Sequence, residues 1–170
     1  MINIKKGTGL TLAQTSKVGN AKAGEGIVAG MVVNFGITSD DGNVLKGSSA
    51  TTLVGLAINN QTDGDVIESG KIGVYLLDGA SVVETDQSAL TINSTNYPVG
   101  SAVYALTSGL VTNVNTVAKL IGTVEGIRDL PAPLGVSINA ASNGLTPVLN
   151  AGGAVKVQST VTVLGIKLAA

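Results

Sequence analysis

Ten basic and eleven acidic side chains carry the charge of this 170-residue chain, which has no histidine and no cysteine. Without imidazole or thiol, serine and cysteine triads, the common zinc sites and imidazole acid–base catalysis are all out of reach. Carboxylates remain. Asp63 and Asp65 flank Gly64, and Asp40 adjoins Asp41, the oxygen ligands that a hard cation takes from a loop. The Asp-x-Asp-x-Asp-Gly series of a calcium loop is missing, so these acids read as turn residues, with a calcium site the lesser reading. The other acids are scattered over turns, whereas a carboxylate or metal-dependent enzyme needs them clustered. No enzymatic activity and no cofactor are expected.

Two glycine patterns invite a nucleotide and fail on context. Gly64 to Gly70, followed by Lys71, resembles a phosphate loop, but five residues separate the glycines and Ile72 stands where Ser or Thr belongs. Gly24, Gly26 and Ala29 match a loose dinucleotide fingerprint. Both patterns run into strand-like sequence, so no helix N-terminus would face a phosphate. Sugar stacking is poorly supplied, with three tyrosines and one phenylalanine. Tyr75 and Tyr104 read as packing residues on sheet faces, and Tyr97, before Pro98, as a turn residue.

What would position any site is a set of β-strands. Hydrophobic residues make up 44% of the chain, enough for a core, and they are mainly Val, Ile, Leu and Ala. β-Branched side chains are stiff at the first torsion and suit a pleated sheet. Twenty-three glycines against four prolines fit many tight turns between short strands. A net charge of −1 would not steer the chain to nucleic acid or an anionic membrane. The N-terminus lacks the apolar core of a signal peptide, and no apolar run approaches the roughly 18 residues that span a bilayer. The expectation is a soluble all-β protein, cytoplasmic or assembled into something larger.

Residues 1–24 are polar, with Ile2, Ile4, Leu10, Leu12 and Val18 as isolated apolar points. Ile2 and Ile4 alternate with Asn3 and Lys5, as in a short edge strand. Two readings stand for this stretch: a terminus without order, or an extended arm that orders on a partner. Residues 25–170 read as the β-rich domain. Strands are expected from Gly26 to Phe35 with a corner at Gly30, from Thr52 to Ile58 with Gly55 at its centre, and from Lys71 to Leu77. Asp41-Gly42 and Asp78-Gly79 are hairpin signals. Glu84 to Asn96 is polar and reads as a link between halves at 25–88 and 96–170. The pattern then restarts: Gly100 aligns with Gly30, Val103 with Val33 and Gly122 with Gly55, a duplicated strand–turn–strand unit. Arg128 to Pro133 reads as an extended connector, and Ala154 to Leu168 as a strong closing strand in which Leu164-Gly165-Ile166 repeats the apolar–Gly–apolar motif. Nothing sustains a period of 3.6, so helices should be few and short. A small β-barrel or β-sandwich follows.

The segments Ala29-Gly30-Met31-Val32-Val33, Leu53-Val54-Gly55-Leu56-Ala57 and Gly70-Lys71-Ile72-Gly73-Val74-Tyr75-Leu76 together resemble the head decoration, or capsid cement, proteins of tailed bacteriophages. Pro98 to Tyr104, Ser108 to Val111 and Leu120 to Thr123 use the same vocabulary. The resemblance spans Gly26 to Val124 and carries no catalytic or ligand residue. It implies a virion protein on the outer surface of the capsid that clamps neighbouring major capsid subunits, commonly as a homotrimer. On that reading the N-terminal arm would supply capsid contacts, with Ile2, Ile4, Lys5, Lys6, Leu10 and Leu12 as candidates. The alternative is another phage or cell-surface β module, such as a tail, fibre or adhesin domain, which would call for receptor-binding aromatics or long exposed loops.

Overall fold

A computed structural model describes residues 2–6, 16–21, 25–36, 43–47, 54–61, 71–115, 119–131 and 160–170. These form eleven strands: β1 (Ile2–Lys6), β2 (Ser16–Ala21), β3 (Val32–Phe35), β4 (Asn43–Lys46), β5 (Val54–Ala57), β6 (Lys71–Leu76), β7 (Val82–Thr85), β8 (Ala102–Ala105), β9 (Val111–Thr112), β10 (Leu120–Pro131) and β11 (Thr160–Leu168). No helix occurs among the described residues. The all-β expectation holds.

Strands β2-β4-β3-β5-β6 close into a barrel, with β2 antiparallel to β6 and parallel to β4. The other six form a sheet in the order β1-β7-β11-β10-β8-β9. That sheet curls back on itself. Just past β7, Ser88 bridges Val111 in parallel, with Val111 N–H donating to Gln87 O (3.0 Å) and Ala89 N–H to Val111 O (2.9 Å). Ignoring β1, the cycle β7-β9-β8-β10-β11 repeats β2-β4-β3-β5-β6 strand for strand in chain order.

The duplication read from glycine spacing therefore extends to the hydrogen bonds. In each copy the second strand, β3 or β8, follows a turn whose third residue needs a positive φ: Val28 to Met31, with Gly30 at 91°, and Pro98 to Ser101, with Gly100 at 83°. Gly30 N–H donates to Ala57 O and Gly100 N–H to Val124 O, both at 2.8 Å. Val33 faces Gly55 as Val103 faces Gly122. These two strand glycines are forced by close approach. A Cβ on Gly55 would collide with the Tyr75 carbonyl oxygen, and one on Gly122 with the Lys167 carbonyl oxygen.

Packing follows the same plan. Inside the first barrel lie Ile27, Val33, Val44, Ala57, Ile72 and Val74. Their counterparts Tyr97, Val103, Val111, Val124, Leu164 and Ile166 fill the second unit. Tyr97 ends the turn that Asn93 begins, its N–H donating to Asn93 O (2.9 Å), and its side chain is fully buried in this core. The second core also takes in Val32, Val54, Leu56 and Tyr75 from the outer face of the first barrel. Each such side chain is stabilising by about 2 kcal/mol, against about 1 kcal/mol for a single cross-unit hydrogen bond. Burial dominates the join.

Several boundaries differ from the sequence reading. β2 is a barrel strand and β1 pairs with β7, so the described parts of residues 1–24 do not stand apart as an arm. Main-chain pairing holds there what few apolar side chains would not. Glu84 and Thr85 lie buried in β7, which places the division between copies after β6 and not in the polar stretch that follows β7. Asp78-Gly79 does turn, with Gly79 at φ 75°, but it joins the two units and closes no hairpin. Arg128 to Pro131 continues β10 and pairs with β11. Asp41-Gly42 lies outside the described residues.

Candidate interaction surfaces

Among the described residues, the buried polar groups have structural partners, apart from the Ser101 hydroxyl, which has none. Glu84, 2% exposed, accepts from Arg128 Nε and Nη2 at 2.6 Å each. The register explains the reach: Glu84 faces Gly165 on β11, and Gly165 faces Gly126 on β10. With no side chain at either glycine, carboxylate and guanidinium meet across the intervening strand. That bidentate bond raises the Arg128 guanidinium above its usual range. Asp78 accepts from Ala80 N–H (3.1 Å), Ser81 N–H (2.8 Å), the Ser81 hydroxyl and the Tyr75 hydroxyl (3.3 Å). Burial pushes its carboxyl up, but these bonds outweigh it and hold the group below its ordinary value of 3.8. The Tyr97 hydroxyl reaches Ser88 and Val111 O, while burial raises its phenol. Asn59 Oδ1 accepts from Gly73 N–H at 2.8 Å. These networks tie turns to strands.

No group of three or more metal-ligating side chains occurs among the described residues. Asp40, Asp41, Asp63 and Asp65 lie outside them. Gly26, with φ 63°, leads through buried Ile27 toward β3, so the dinucleotide pattern runs into a strand there too. Among the described residues no helix is long and apolar enough to cross a membrane.

What remains is surface. Of the candidate contact residues, Ile2 and Ile4 sit in β1 and pack, partly buried, against the second core. Lys5 and Lys6 belong to the same strand, and Leu10 and Leu12 lie outside the described residues. β1 is the edge of its sheet, as the alternation of Ile2 and Ile4 suggested. Two other surfaces escaped the sequence reading. Val18 on β2 is 60% exposed beside exposed Lys17, whose ammonium lies 5.7 Å from the Phe35 ring centroid. Val99 and Val114, at 76% and 54% exposed, stand at either end of the β8–β9 hairpin. A hydropathy scan has no means of separating these valines from core ones, because exposure here depends on which strand edges are covered.

Compared with protein families, curated proteins and solved structures, the chain matches none of them.

Proposed function

We propose that this protein is a virion structural protein that binds the outside of a tailed-phage capsid and stabilises it by bridging neighbouring major capsid subunits. The observation that carries the reading is where the family-like segments fall. They supply β3, β5 and β6 of the closed barrel, and their shortened echoes supply β8 and the start of β10. The likeness is thus to the framework strands and not to incidental loops.

The chemistry fits a protein that acts by contact. Its described buried ionisable groups are engaged in internal pairs. A sheet edge at β1 offers main-chain groups to a strand of the shell subunit, the mode in which backbone bonds give affinity and alternate side chains give specificity. A ligand that binds the assembled lattice and not its separated subunits stabilises it by mass action, about 2.7 kcal/mol per site at a hundred times its dissociation constant. A homotrimer at the lattice three-fold axes is the arrangement that belongs to this reading.

The test is electron microscopy of phage heads lacking decoration, before and after addition of the purified protein, together with their thermal disruption. Regular added density and a raised disruption temperature are expected. Bare heads at saturating protein would overturn the reading.

A further inference from the structure

The outer face through which the first unit meets the second exists again on the second unit, with different residues. In the first unit Val32, Leu56 and Tyr75 form one row across β3, β5 and β6, with Val32 opposite Leu56 and Leu56 opposite Tyr75. All three are buried with the second core. The same row in the second unit, across β8, β10 and β11, is Ala102, Thr123 and Lys167, with Ala102 opposite Thr123 and Thr123 opposite Lys167. Ala102 is partly buried, and Thr123 and Lys167 are exposed. Val54, the other residue of the first face, keeps an apolar counterpart: it precedes Gly55 as Ile121 precedes Gly122, and both are buried.

Backbone access changes too. The β8–β9 hairpin seats on the first unit beside Gly47, where the missing Cβ leaves room for the Thr107 backbone, and its Gly109 carbonyl accepts from Val32 N–H at 2.7 Å. Phe35 faces Val44 as Ala105 faces Val111, so Val114 stands where the first unit has Gly47. Its branched side chain is 54% exposed. A hairpin approaching the second unit in the same way would run into it.

A face that docks on a unit of its own kind makes a heterologous contact, and such a contact propagates unless it closes into a ring. If the second unit kept the apolar row and the glycine, the β3–β4 hairpin of a second copy, counterpart of the β8–β9 hairpin, could seat on it and leave its own far end free for another. Terminal units of stacked proteins avoid this with a polar outer face. We propose that Ala102, Thr123, Lys167 and Val114 make the second unit a terminal cap, which ends the stack at two units and keeps a second copy of this chain from docking end to end. Covering Lys167 would strip water from its charge, and Val114 bars the hairpin. Contacts with other copies or with a partner therefore use other surfaces. The cap does not rest on the capsid reading.

The experiment uses the full chain in two arms. The chain has no cysteine, so Thr123→Cys and Lys167→Cys report on this face without background. In the native protein at high concentration both should react with a maleimide within about tenfold of their rate in urea, since an uncovered position needs no opening of the structure. Strong protection of either means that a copy covers the face, and overturns the proposal. In the second arm, Ala102→Val, Thr123→Leu and Lys167→Tyr rebuild the row, with Val114 either kept or changed to Gly. Sedimentation should show larger species that grow with concentration for the Val114→Gly form, and the parent's mass for the form that keeps Val114. Equal masses for the two overturn the proposal: a merely sticky surface would associate in both, and a face that docks nothing would associate in neither.

Discussion

Gly55 and Gly122 show how tightly single residues are constrained when two strands cross closely. Neither has a positive φ; each is required because a neighbouring carbonyl oxygen occupies the place of a Cβ. Gly126 has open space around its Cβ position. Gly55→Ala and Gly122→Ala should each cost about 2 kcal/mol by forcing backbone apart in a packed core, whereas Gly126→Ala should be near neutral. Urea unfolding of the three variants checks this, and equal effects would refute it. Asp78 makes a pH prediction. Its folded carboxyl titrates below the unfolded value, so its bonds to Ser81, Ala80 and Tyr75 contribute fully above the ordinary carboxylate range. The contribution fades as pH falls through the lowered folded value. Melting temperatures of the parent and of Asp78→Asn should therefore differ most near neutrality and converge in acid. A constant gap would show that the charge is not what Ser81 holds.

At the scale of elements, the N-terminal residues divide into two strands with different duties. Among the described residues β1 lies at the edge of its sheet and pairs with β7, while β2 is one of five staves of a closed barrel. Removing residues 1–8 should leave a folded protein, less stable by the loss of the partial burial of Ile2 and Ile4. Removing residues 1–24 takes out β2, opens the barrel between β4 and β6, and should abolish cooperative unfolding. Circular dichroism melts of the two truncations separate these outcomes. Two intact melts would mean that β2 is dispensable, contrary to its pairing with β6 along Ser16 to Asn20. The hairpin joining β8 to β9 is an equally specific element. Gly109 O accepts from Val32 N–H at 2.7 Å, and Gly47 admits the Thr107 backbone where a Cβ would collide. These seat the second copy on the first.

On the scale of the whole molecule, a closed barrel and a sheet curled on the same plan are joined so that the outer face of the first completes the core of the second. The arrangement makes the copies unequal. One closes with its own strands alone, whereas the other closes through a single bridge and carries β1 on its edge.

The composition and glycine spacing by themselves determined that the chain is all-β and duplicated. Stiff β-branched residues have few other favourable conformations, and a glycine is demanded wherever a turn takes positive φ or a carbonyl crowds the chain. Gly30 and Gly100, Gly55 and Gly122 were legible for that reason. What only the tertiary structure decided is which strand covers which. Val18, Val33 and Val99 are the same side chain, yet one is exposed on a barrel strand, one lies inside a barrel and one on an outer turn. Tyr97 went to the core, and the polar N-terminal stretch supplied two strands, because backbone pairing across 51 to 83 positions (71 − 20 and 85 − 2) carries no local signature. A surface made of strand edges is set by those long-range pairings, and so it became visible only in the fold.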